Sequence, residues 1–163
     1  QEELHDSIST NTNRNNIQMK NMINSINTLK THTYKRIIIM INFGYSAHLS
    51  ISTITSYMKR KTGIQDIVYA EYLTGGAGTK FARVKERFDD FEKNPEPMIL
   101  ICNNHDSSAV LVGTNFDKAD SVIVVGNIDE RIGTQLMGRI FRPNLQRDNT
   151  KHIPFVKIYS PIR

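Results

Sequence analysis

With one cysteine, Cys102, in 163 residues, the chain cannot form an internal disulfide, so a packed core must hold it and a reducing compartment suits it. That thiol ends the apolar run Pro97-Met-Ile-Leu-Ile-Cys102, which reads as a buried strand, so it is expected to be packed and not a nucleophile. Tryptophan is absent and aromatic residues make up only 8%. Apolar runs are short. None approaches the roughly 18 residues of a membrane span, and no signal-peptide pattern opens the chain. These absences give an expected intracellular location, cytoplasmic or nuclear, with no membrane partner. The histidines His5, His32, His48, His105 and His152 are scattered without ligand spacing, so no metal site is expected. His105-Asp106-Ser107-Ser108 holds the letters of a hydrolytic triad, but neighbours along one loop cannot take up that geometry.

What is present suits one globular domain. Hydrophobic residues make up 39%, and Lys and Arg outnumber Asp and Glu by 21 to 16, giving a pI near 9.4. This balance leans towards a polyanionic partner. The chain begins at Gln1 and not at Met, as a piece of a longer protein would. Residues 1–16 are rich in Asn, Ser, Thr and charge, too polar to bury much, and are expected to be loose. Met19, Met22, Ile23, Ile26 and Leu29 then recur at helical spacing and predict a short amphipathic helix. Residues 1–34 therefore read as a polar N-terminal segment with a helix, and residues 35–163 as the domain proper.

Within the domain, Arg36-Ile-Ile-Ile-Met-Ile-Asn-Phe43 is a continuous apolar run, the signature of a parallel strand covered on both faces. Ser46 can cap a helix running to about Lys61, with Gly63 ending it, and a second strand spans 66–73. Thr79 caps another helix, whose Phe81, Val84, Phe88 and Phe91 form a regular core stripe; Pro95 and Pro97 punctuate its end. Further strands are expected at 98–102, 121–126 and 152–159, with Pro154 marking the last as an edge. Strictly alternating strands and helices predict a three-layer α/β domain with a mainly parallel sheet of about five strands.

Ligands of such sheets bind at the carboxyl ends of the strands. The loop after the second strand, Leu73-Thr-Gly-Gly-Ala-Gly-Thr79, leads three glycines into a helix start, where backbone N–H groups can cradle phosphate. It lacks the Gly-Lys-Ser/Thr ending of a nucleotide-binding loop. A contact to a nucleic-acid backbone through Thr74, Gly75 and Lys80 fits it better, and a turn without a ligand remains the plain alternative. The stretch Gln135-Leu-Met-Gly-Arg-Ile-Phe-Arg142 is more telling. On a helix Gln135, Arg139 and Arg142 share one face, Gly138 borders it, and Leu136, Met137 and Ile140 lie on the other side. Planar guanidiniums bind phosphate oxygens bidentately and keep their charge, so a nucleotide phosphate is the natural ligand. A solvated basic helix face would show the same spacing.

Taken in order, these parts resemble the second RecA-like domain of superfamily 2 helicases and translocases. Gly113-Thr-Asn-Phe-Asp-Lys-Ala-Asp-Ser-Val-Ile123 resembles motif V, and Gln135-x-x-Gly-Arg-x-x-Arg142 resembles motif VI. Residues 35–58 resemble the motif IV strand and helix. Leu73-Thr-Gly75, with Arg83, Lys85, Arg87 and Phe88-Asp-Asp-Phe91, resembles the segment in which Thr-Gly precedes a basic helix. The resemblance covers about residues 35–160, and motif VI is its specific part. There are two departures. Ser108, Val110 and Leu111 stand where remodeller-like members carry an Arg and paired glycines, and Gln146 falls one place later than the usual closing Gln. The Asn-rich and Ile-rich composition is similar to that of helicase-like ATPases of large DNA viruses or mobile elements.

The resemblance implies half of an ATP-driven machine. ATP and Mg2+ would sit between two RecA-like domains. The N-terminal one would supply the phosphate-binding Lys and the metal-binding acid, since this sequence has neither Gly-Lys-Thr nor Asp-Glu-x-His. Arg142 would be the arginine finger, Arg139 would contact the phosphates, and Gln135, Gly138 and Gly113 would border the nucleotide. Thr74, Gly75, Lys80, Asn103 and Thr114 would line a track for DNA or RNA, with backbone contacts and little sequence preference. The chain alone would be inactive. The competing readings are a non-catalytic nucleic-acid-binding or assembly module that keeps the fold, and a structural oligomerisation domain.

Overall fold

The computed structural model describes residues 13–42, 51–69, 78–103, 116, 118–126, 134 and 155–158. Their order is α1 (Asn13–Thr31), β1 (Arg36–Asn42), α2 (Ile51–Thr62), β2 (Asp66–Tyr69), α3 (Gly78–Asp89), β3 (Met98–Asn103), β4 (Ser121–Gly126) and β5 (Phe155–Ile158). All five strands are parallel, in the order β2-β3-β1-β4-β5. The central strand is β1, and β5 is an edge, as Pro154 suggested.

Helix α1 is made of poor helix formers and stands because it is packed. Met19, Met22, Ile23, Ile26 and Leu29 are buried in one cluster with Ile37, Ile39 and Ile41 of β1, Ile54 and Met58 of α2, and Ile123 and Val125 of β4. On its outer side Ser25, Thr28 and Thr31 fold their hydroxyls back onto the carbonyls of Asn21, Asn24 and Asn27 at 2.8–2.9 Å, which satisfies polar groups that would otherwise compete with the helix. The expected loose segment is shorter than the sequence suggested: Asn13 to Asn16 are helical, because the first turn of a helix leaves its N–H groups open and tolerates polar residues there. Gly63, with φ of 74°, ends α2, since the left-handed conformation costs glycine nothing.

The alternation along β1 separates two faces. Ile37, Ile39 and Ile41 turn to α1 and α2, while Arg36 turns the other way, to the end of α3. Right-handed crossovers account for this: β1 to β2 runs one way across the sheet and β2 to β3 the other, so their helices cover opposite faces. Two local expectations need correction. Helix α3 begins at Gly78, so Thr79 lies within its first turn and is not the cap. Phe91 is 38% exposed; α3 ends at Asp89, which takes Phe91 off the helical stripe on which Phe88 stays fully buried. Strand β3 runs one residue further than expected, to Asn103.

The amino ends of the strands are tied by one buried charge. The Arg36 side chain has no exposed surface and donates only to main-chain carbonyls: Lys35 at 3.1 Å, Glu96 at 2.8 Å, Phe88 and Asn94. Its guanidinium lies 4.4 Å from the centre of the Phe91 ring. The Phe88 carbonyl belongs to the last turn of α3, where carbonyls lack helical partners and the helix dipole favours a cation. Asp120 closes the network by accepting from the Lys35 and Arg36 amides at 2.7 and 2.9 Å. Burial lowers the Arg36 pKa and raises that of Asp120; the two amides, the Ser121 hydroxyl and the Arg36 charge pull Asp120 back only in part.

Candidate functional site

Because every strand is parallel, all carboxyl ends gather along one edge, and there the sequence changes character. The three central strands are apolar up to Ile41, Cys102 and Val125, then end in Asn42, Asn103 and Gly126. Register brings these endings side by side: Asn103 is opposite Ile41, and Gly126 is opposite Asn42. Gly126 has φ of 86°, a turn that suits glycine at the point where the chain leaves β4. The connection after β1 leads to the α2 face. The one after β3 arrives on the α3 face, where Phe116 meets Phe88 edge to face with ring centres 6.3 Å apart. Connections that lead to opposite faces beside β1 are the topology at which parallel α/β sheets take up ligands.

The sequence-predicted residues relate to this edge in different ways. Asn103 is placed on it as the last residue of β3. Lys80 lies in the first turn of α3, which follows the carboxyl end of β2. Thr74 and Gly75 belong to the connection between β2 and α3, and lie outside the described residues, as do Gly113 and Thr114. Of the arginine stretch, only the preceding Thr134 is described, and it is helical and exposed; Gln135, Gly138, Arg139 and Arg142 lie outside the described residues. Among the described residues no group of His, Cys, Asp and Glu could hold a metal ion, and no helix is long and apolar enough to cross a membrane.

The motif V stretch divides in two. Its second half holds the sheet: Phe116 is fully buried, Ala119 is 2% exposed, and Asp120 is bound to the start of β1. The sequence reading singled out these letters by resemblance and missed both that role and the buried Arg36. An arginine opening an apolar strand and an aspartate just before another were the available signals.

No family model matches the sequence, and no curated protein matches it. Solved structures do match in fold. The C-terminal part of the Fun30 ATPase domain superposes with a TM-score of 0.61 at 14% identity, covering 86% of this chain and 40% of that one. Domain 2 of the DEAD-box helicase Mss116p, bound to an RNA duplex, superposes with a TM-score of 0.55 at 16% identity, covering 87% of this chain and 51% of that one. This is the fold of a C-terminal RecA-like helicase domain. The RecA-like expectation from sequence is met at the level of backbone, and the chain spans about half or less of the length of these neighbours.

Proposed function

We propose that this chain is the second RecA-like half of a nucleic-acid-dependent ATPase, a helicase or translocase acting on DNA or RNA. The observation that carries the reading is Gln135-x-x-Gly-Arg-x-x-Arg142 following β4 on a fold shared with an ATPase domain and with a helicase domain bound to RNA. Bound ATP with Mg2+ supplies the scissile phosphoanhydride, its metal and phosphate ligands coming from a first RecA-like domain. In this reading Arg142 neutralises charge developing on the γ-phosphoryl group, and Arg139 holds the phosphates. Gln135, Gly138 and Gly113 border the nucleotide. A planar, permanently charged fork is preorganised for that charge and does most in the transition state. Thr74, Gly75, Lys80, Asn103 and Thr114 form the track, so affinity for nucleic acid falls with salt and depends little on sequence.

The test is a division of labour. The 163-residue chain alone shows no ATP turnover above background, and turnover stimulated by nucleic acid appears only with a domain that supplies a Gly-Lys-Thr loop and an acidic metal ligand. Turnover by the isolated chain that is lost in Arg142→Ala would refute the half-machine reading. Nucleic-acid binding with no turnover in the joined pair would instead support the non-catalytic module.

A further inference from the structure

More than a third of the chain, in one stretch, is free of carboxylates in its sequence. From Ser7 to Gln65 the chain carries eight Lys and Arg and no Asp or Glu, a span that includes α1, β1 and α2. The charge gathers where the two helices end together at the amino end of the sheet. Lys30 lies in the last turn of α1, and Lys59, Arg60 and Lys61 lie in the last turn of α2. The corner is built: Lys30 Nζ donates to the Thr62 carbonyl at 2.6 Å, and Asn27 Nδ2 to the Lys61 carbonyl at 3.5 Å. Arg60 and Lys61 lean over the Tyr57 ring, at 5.8 and 6.0 Å from its centre, and both are exposed.

Cations at a helix end have an ordinary explanation in the helix dipole, which amounts to about half a charge per helix. Helix α3 shows how little that requires. Its last turn holds one cation, Arg87, which is ion-paired with Asp66 at 3.2 Å, and Asp89, Asp90 and Glu92 follow at once. The α1–α2 corner therefore carries more positive charge than helix ends need. It also lacks an apolar anchor: the exposed large hydrophobic residues among those described are Ile17, near the far end of α1, and Phe91, on the α3 side. Protein interfaces have an apolar centre and membrane-lying helices an apolar face. A fixed cationic cluster without one matches a phosphate backbone.

We infer that the α1–α2 corner is a second docking surface for the nucleic-acid backbone, at the opposite end of the sheet from the carboxyl edge. It requires neither ATP nor the arginine stretch, so it stands or falls apart from the proposed motor role. The experiment titrates the intact chain with a mixed-sequence DNA duplex of about 20 base pairs across a range of salt. Replacing Lys59, Arg60 and Lys61 together by Gln lowers affinity about tenfold at low salt and makes the log K against log salt slope shallower by about two to three. Lys80→Ala probes the carboxyl edge in parallel. Loss in Lys80→Ala alone, with the triple variant binding normally, overturns the corner and leaves the track intact. A footprint on the unsubstituted chain guards against misfolding of the triple variant: the duplex protects Lys59 and Lys61 from acylation. Equal acylation with and without duplex, or tighter binding to phosphatidylserine vesicles than to duplex, overturns the proposal.

Discussion

The two ends of the sheet are built to opposite rules. At the amino end, two charged side chains are taken up by the main chain: Arg36 reaches four carbonyls, and Asp120 takes two amides. At the carboxyl end, strands stop in Asn42, Asn103 and Gly126, where apolar residue types give way to small or polar ones. Such a network of side chain on main chain specifies one arrangement of the strands it ties. Burial separates charge that serves the fold, as at Arg36, from exposed charge such as Arg60 and Lys61.

The largest effect expected is in the arginine stretch. In the ATPase proposed to contain this domain, Arg142→Ala lowers turnover by on the order of 10³ to 10⁵ while nucleotide affinity changes little. Arg142→Lys recovers little of the loss, because an ammonium cannot reproduce the planar fork. Steady-state kinetics beside a nucleotide titration reads both. Next comes the amino end: Arg36→Met takes the side-chain donor from the Phe88, Asn94 and Glu96 carbonyls, while the Lys35 carbonyl keeps the Met98 amide at 2.8 Å, and costs about 3–5 kcal/mol, seen as a melting temperature lower by on the order of 10 °C. A melt within a degree or two of wild type would show that water reaches those carbonyls and that the network is dispensable.

Asp120→Asn is milder. Asn offers one acceptor oxygen to two main-chain N–H groups and turns its own NH2 towards the second, costing about 1–3 kcal/mol in denaturant unfolding. The smallest effect is in pH. Because burial holds the Asp120 carboxyl above its ordinary 3.8, the folded state binds this proton more tightly than the unfolded chain. The stabilisation is complete below about pH 4 and is lost as pH rises through the folded value. The stability gap between wild type and Asp120→Asn should therefore narrow as pH rises above about 4. A gap that widens with pH would mean that the two amides outweigh burial.

Much of the fold was legible because apolar periodicity is a local signal. The all-apolar Ile37–Ile41 run announced a strand covered on both faces, and the stripe from Met19 to Leu29 announced the helix that covers one of them. Strand order was not written in any segment, since it depends on which crossovers reverse. The Arg36 network was hidden for a related reason. Its partners are carbonyls of Phe88, Asn94 and Glu96, and a carbonyl has no letter of its own. At the candidate site, Asn103 was named from sequence and does end β3 on the carboxyl edge, and Lys80 falls in the first turn of α3. The motif V letters carried the resemblance, yet Phe116, Ala119 and Asp120 serve the sheet. A motif records which residues recur together and does not say which of them touch a ligand.

The most direct test of the contrast is ATP turnover per folded molecule in two variants of the same ATPase, Arg142→Ala and Arg36→Met, with the folded fraction taken from each melting curve. The account predicts that Arg142→Ala stays fully folded and loses turnover, while Arg36→Met melts early and keeps normal turnover for every molecule that remains folded. Normal turnover in Arg142→Ala, or turnover lost in folded Arg36→Met, would contradict it.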